Sequence, residues 1–287
     1  MLIAATVPPE GPWWLAWPVE PFTLGSLLAA ASIYAAGLVR VRRRGAAVTI
    51  HSIVAWYAGL AVLAIALASP LDAYADVSFA VHMTQHLLLM VVAPPLLALG
   101  APIGLALRAL RPTGARRLSA ALRSRPVVVT TRPVVAWTVF VVTPWAVHLS
   151  PVFDLALHSP AWHGVEHTLW IAAALVFWWP VVGADPTPHP WSYPTRMLAL
   201  FLAMPAVSFL ALVLFSAEAP LYPAYARAPD PWGFEALASQ RDAAVQMWLI
   251  GNLVTVAAML LVAAAWKRHD DERQRRLETR IDAASVA

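Results

Sequence analysis

The chain has 287 residues, of which 60% are hydrophobic and only 13% charged, with a formal net charge of +4. Soluble domains carry roughly 25% charged residues, so the composition excludes a soluble protein and points to an integral membrane one. Cysteine is absent, which excludes disulfides, thiolate metal sites and thiol catalysis and leaves His, Met, carboxylate and backbone oxygen as metal donors.

Residues 1–21 lack the basic stretch and small-residue cleavage site of a cleavable signal peptide. They are expected outside the membrane, with Trp13, Trp14 and Trp17 at the interface. About 20 apolar residues cross a bilayer. Stretches of that kind lie near 22–39, 49–69, 79–100, 133–149, 161–182, 196–216 and 242–266, the fourth short and the seventh long. The fold class expected is therefore all-α: a polytopic membrane protein with seven transmembrane helices within 22–266, followed by a charged tail over 267–287.

Basic residues set the orientation. Arg40, Arg42, Arg43 and Arg44 follow the first span, and Arg108, Arg111, Arg116, Arg117, Arg123, Arg125 and Arg132 follow the third. Arg196 precedes the sixth, and the tail holds Lys267, Arg268, Arg273, Arg275, Arg276 and Arg280. Of the 20 Lys and Arg residues, only Arg227 and Arg241 fall on the other side. The N-terminus is thus expected outside and the C-terminus in the cytoplasm of a bacterial inner membrane. The same asymmetry accounts for the positive charge without any nucleic-acid partner. Ile103 to Arg125, with Leu105, Leu107, Leu110, Leu118 and Leu122 among arginines, reads as an amphipathic stretch on anionic membrane lipid.

Within this topology six of the 9 histidines gather on the outer side. His82-x-x-x-His86 opens the third span and His163-x-x-x-His167 the fifth. A spacing of four places both imidazoles on one helix face, Cβ atoms roughly 6 Å apart. His148 closes the fourth span, and His158 follows in a loop. His82 is expected about 5 Å into its helix and His86 about 10 Å, with the second pair at comparable depth. Polar side chains in a membrane helix are costly, so four at matched depth read as a site.

Imidazole suits copper, zinc, iron and nickel. Met90 extends the His82–His86 stripe, and Met247 lies near the outer end of the seventh span. Thioethers are soft donors, so Cu(I) is favoured, with zinc possible. The expected metal residues are His82, His86, His163, His167, Met247, Met90 and His148, with Glu166 and Asp242 behind them as hydrogen-bonding support. Against this stand the ordinary roles of such residues: interfacial hydrogen bonding for a histidine, packing for a methionine, helix N-terminal charge for Asp242.

Three other chemistries are open to the same residues. His163-Gly-Val-Glu166-His167 matches a His-x-x-Glu-His zinc peptidase signature, which leaves His82 and His86 unexplained. Bis-histidine haem needs one ligand from each of two facing helices and makes a membrane oxidoreductase the enzyme alternative. Transport would use the kinks at Pro94-Pro95, Pro144 and Pro205. No acidic residue lies deep in any span, so a one-sided site suits holding and handing over metal better than pumping it.

The block from His82 to Pro102, with its His-Met-Thr-Gln-His opening and Pro94-Pro95 pair, resembles the hallmark stretch of the seven-helix CtaG family. His163-x-x-x-His167 followed by Phe177-Trp178-Trp179-Pro180 is similar to that family's second hallmark, and Gln246-Met247-Trp248 to a third. The resemblance spans roughly residues 50 to 265. It implies a factor for cytochrome c oxidase assembly that supplies copper to a haem–copper oxidase subunit. An extracytoplasmic copper donor would stand upstream, and the alternative is a metal-free assembly scaffold.

Overall fold

The structure, a computed structural model, describes residues 11–18, 20–227, 233 and 235–285. The first ten residues and Val19 of the expected outer segment lie outside these, as do the last two of the tail. Every regular element among the described residues is helical. In chain order they are α1 (Pro21–Arg43), α2 (Ile50–Leu67), α3 (Pro70–Ala75), α4 (Phe79–Leu87), a π-helical turn (Leu88–Val92), α5 (Ala93–Leu99), α6 (Pro102–Ala109) and α7 (Pro112–Leu122). There follow α8 (Arg125–Thr130), α9 (Pro133–His148), α10 (Pro151–His158), α11 (Pro160–Val182), α12 (Tyr193–Ser216), α13 (Pro223–Arg227) and α14 (Ala236–Ser285), after a short 3-10 turn at Trp13–Leu15.

Proline starts most of these helices. Its missing N–H falls where no intrahelical partner exists, and its φ is already helical. Pro21, Pro70, Pro102, Pro112, Pro133 and Pro151 sit in first turns, and Ser69, Ser150 and Ser192 add side-chain caps to Leu71, Val152 and Thr195.

Among the described residues six helices are long and apolar enough to cross a membrane, the third of them running from Phe79 to Ala109 through the π turn and α6. The fourth expected span differs. α9 has 16 residues, about 24 Å of rise against a hydrocarbon core of about 30 Å. It reaches crossing length only together with α10, which is bent from it by 69°. α14 continues unbroken past Lys267 to Ser285, so the charged residues expected as a tail extend the last apolar helix.

α4 packs between α14 and α3, α5 against α2 and α11, and α12 along α14 and α9. A Cβ on Gly59 would come within 2.9 Å of the Leu97 side chain, and one on Gly100 within 2.9 Å of Trp56 Cβ. Glycine therefore permits the close α2–α5 approach. At the arginine-rich end, Asp185 accepts from the backbone N–H groups of Ile103 (3.0 Å) and Gly104 (2.6 Å), tying the α11–α12 loop to the start of α6.

At the histidine-rich end, Gln85 donates through one amide nitrogen to Asp72 (2.6 Å) and to the Ala66 carbonyl (2.8 Å), fixing α4 to the α2–α3 corner. Burial pushes the Asp72 carboxyl up to about 6, against the opposing effect of the Gln85 bond. Its value in an unfolded chain is about 3.9, so the folded state favours the protonated form. Asp72 therefore costs nothing below pH ~4 and destabilises progressively as the pH rises through about 6. Asp72→Asn keeps the acceptor and removes the charge. Its melting temperature in detergent is expected to match the parent near pH 4 and to exceed it by a growing margin up to pH ~7; a margin independent of pH would refute this reading.

Candidate metal centre

Four helix ends meet at the histidine-rich end: the starts of α4, α11 and α14 and the finish of α9. α4 contributes His82 and His86, both fully buried, and α11 contributes His163 and His167, half-buried. Within each pair the ring centroids lie 4.2 Å apart, as i,i+4 spacing requires. Across the helices His82 stacks on His163 at 5.7 Å, and His86 meets His167 edge-on at 6.2 Å. The four rings thus form a two-by-two ladder. His148 adds a fifth ring 6.3 Å from His86. The structure therefore brings the two sequence pairs and His148 into one cluster.

Glu166 enters that cluster directly. It is fully buried one turn after His163, and its Oε1 lies 3.4 Å from His86 Nε2. One donor atom each from His82, His86 and Glu166 falls within 4.8 Å of the others. Trp170, on the same face one turn later, donates its indole N–H to Glu166 Oε1 (3.3 Å) and packs its ring 4.5 Å from His86.

The polar accounting is the decisive local feature. Both ring nitrogens of His82 and of His86, Nε2 of His148, His163 and His167, and Glu166 Oε2 are buried without a hydrogen-bond partner. A single such orphan costs about 1–3 kcal/mol, and native proteins rarely leave even one. His148 shows which atom is offered: Nδ1 donates to the Pro144 carbonyl (2.8 Å), so Nε2 carries the bare lone pair. Each neutral imidazole keeps one N–H and one lone pair, and so many of the latter gathered without a hydrogen-bond partner fit a cation.

Below the rings a cavity of about 40 Å³ is lined by His86, His148, Trp170, Met83, Met90, Met204 and Met247. That volume holds an ion or a water rather than a large cofactor. Met90 and Met247 were expected there. Met83 and Met204 were not, since Met83 falls about 100° off the histidine stripe and Met204 belongs to no spacing pattern. Asp242 takes a different place: it is exposed and lines a surface groove between α4 and α14 with Ser78, Ser239 and Gln246.

Aromatic side chains cover the cluster. α10 inserts Phe153, fully buried, 5.0 Å from His82 and 5.6 Å from His148. The α12–α14 connection adds Tyr222, whose hydroxyl donates to the His148 carbonyl (3.1 Å), and Tyr225, which donates to the Ala75 carbonyl (2.9 Å). Burial raises both phenols, so they stay neutral donors. Asp76 lies near His163, and burial pushes the Asp76 carboxyl up. No sequence spacing marks these loop residues. Only Trp170 was accessible in principle, by extending the His163–Glu166 face one further turn.

Residues 32–269 match the family described as cytochrome c oxidase caa3 assembly factor (Caa3_CtaG). The chain belongs to this family. The resemblance drawn from its histidine blocks is thereby borne out, and the matched Caa3_CtaG region contains every residue of the cluster. Relatives include uncharacterized proteins of Mycobacterium bovis (Mb0105) and Mycobacterium tuberculosis (MT0111), each 32% identical over 270 residues, covering 90% of this chain and 40% of the relative. A Mycobacterium leprae protein (ML1998) is 29% identical over 245 residues, 83% of this chain and 37% of its own. The Caa3_CtaG chain thus spans about 40% of the length of the first two curated relatives it matches. No solved structure matches it.

The π turn after His86 has a local cause in this Caa3_CtaG sequence. Met90's carbonyl would be paired by residue 94 in an α-helix or residue 95 in a π-helix. Both are proline, and neither has an N–H. The Trp178 indole on α11 supplies the missing donor at 3.0 Å. Trp178→Phe keeps the buried ring and removes only that N–H. The expected loss is about 1–3 kcal/mol of stability, read as a lowered melting temperature in detergent; an unchanged midpoint would show that another group pairs the carbonyl.

Proposed function

We propose that this chain is a copper-binding assembly factor for a haem–copper cytochrome c oxidase. It holds copper at His82, His86, His163 and His167, with His148 and the methionines Met90 and Met247 completing the donor set, for delivery to an oxidase subunit. The observation that carries the reading is the clustering of unpartnered imidazole nitrogens from five histidines, two of which, His86 and His148, line a small cavity together with four methionines. Thioether and imidazole without thiolate favour Cu(I), and membership of an oxidase assembly family supports the destination. A cavity of about 40 Å³ suits an ion better than a porphyrin, so the haem-binding oxidoreductase is the weaker reading. Nothing in the cluster is arranged as nucleophile and base on a substrate groove, which favours binding over catalysis.

The topology completes the proposal. Seven spans, α9 with α10 making the fourth, place the N-terminus outside and the arginine-rich end in the cytoplasm of a bacterial inner membrane. The metal cluster then faces the extracytoplasmic side, where a copper donor would load it. Glu166 contributes either as a ligand or by orienting His86. Its closeness to His82 and His86 supports zinc as the second reading, since two histidines and a carboxylate are a zinc set.

Elemental analysis of the detergent-purified protein, loaded in parallel with Cu(I) and Zn(II), tests both. Stoichiometric copper that is lost in His82→Ala/His86→Ala is expected, with Glu166→Gln binding about 10–100-fold more weakly. Stoichiometric zinc without copper would move the assignment to zinc. Neither metal, in a protein still required for oxidase assembly, would leave a metal-free scaffold.

A further inference from the structure

At the end of the molecule opposite the histidines, α1 and α6 run side by side and leave a cleft of about 220 Å³ between them. Along α1 it is lined by Ala30, Ile33, Gly37 and Arg40, a stripe at helical spacing about 15 Å long. Its far wall is Leu105, Ala106 and Ala109 of α6. The cleft is narrow because Gly37 lets the helices close up: a Cβ there would lie 3.2 Å from Leu105. Apart from Arg40 the lining is apolar or aromatic, and Ile33 stays 73% exposed, so the cleft opens sideways rather than being sealed.

Charge accumulates at one end only. Arg40 is exposed at the mouth, and Arg44 donates to the carbonyls of Arg108 and Leu110 across it. Arg108 in turn donates to the Ala47 and Gly104 carbonyls. Among the described residues none of these three guanidinium groups is ion-paired. The indole nitrogen of Trp56, which also lines the cleft, is buried without a partner.

An apolar slot parallel to a membrane helix, closed at one end by unneutralised arginines, has the form of a single amphiphile: a chain in the slot and an anion at its mouth. We propose that the α1–α6 cleft binds one anionic phospholipid, its acyl chain along Ala30–Gly37 and its phosphate at Arg40 and Arg44. Cations at such a position attract anionic headgroups; Asp185 is close enough to Arg108 for their charges to interact, while Arg40 and Arg44 have no ion-pair partner among the described residues. The site depends on the membrane character of the chain and is independent of the metal.

The test is thermal unfolding of the detergent-purified full chain with added phosphatidylglycerol or phosphatidylcholine of identical acyl chains, beside mass spectrometry of co-purified lipid. Retained phosphatidylglycerol and a larger melting-temperature rise with it than with phosphatidylcholine are expected. Arg40→Gln should need about fivefold more phosphatidylglycerol for half the effect, and Ala106→Phe, which fills the slot, should abolish retention. Equal responses to the two lipids, or a parent-like response in Arg40→Gln, would overturn the site. Arg40 is exposed and hydrogen-bonds to nothing among the described residues, so that variant decides the matter even if Ala106→Phe fails to fold.

Discussion

Imidazole nitrogens buried together without hydrogen-bond partners are the constraint around which this bundle is arranged. Each is unfavourable alone, and here they are collected rather than dispersed. The arrangement is stable only because the surrounding helices over-determine it. Gln85 anchors α4 to the α2–α3 corner, His148 is oriented by the Pro144 carbonyl, and Phe153, Tyr222 and Tyr225 close over the rings. Removing water raises the affinity of such a cluster for a cation, since no solvent competes for the nitrogens.

The backbone, by contrast, finds an internal partner where its helical one is missing, as hydrocarbon demands. Pro94 and Pro95 deprive Met90's carbonyl of its partner in either helical register, and an indole from α11 replaces it. That single bond also joins the helix bearing His82 and His86 to the one bearing His163 and His167, just below the rings. A sequence feature that weakens one helix thus becomes the joint between the two that build the cluster. Asp185, capping α6 from a loop distant in sequence, does the equivalent at the other end.

Much of this was legible in the chain itself. Hydropathy located the apolar helices because a membrane span is a composition signal as much as a pattern, and the i,i+4 histidines named the cluster because spacing on one helix is intrinsically local. The fourth span was harder: Ser150-Pro151 ends α9 and turns the chain into α10, which hydropathy alone cannot distinguish from continuation. Phe153, Tyr222 and Met204 were silent for a related reason. They reach the histidines through tertiary packing between elements, and no periodicity within one element encodes that. Glu166 was visible as a neighbour of His167, but its approach to His86 on another helix was not.

α14 carries Met247 near one end and runs for 50 residues, about 75 Å, more than twice the thickness of a hydrocarbon core. Its charged last third is too polar to be immersed and, being one continuous helix with the span, works as a spacer of fixed length. Residues 267–285 rise about 28 Å beyond the apolar part. A protein that grips this rod near its tip is therefore held at a set standoff from the bilayer, with its distance defined by helical rise instead of by the wandering reach of a coil.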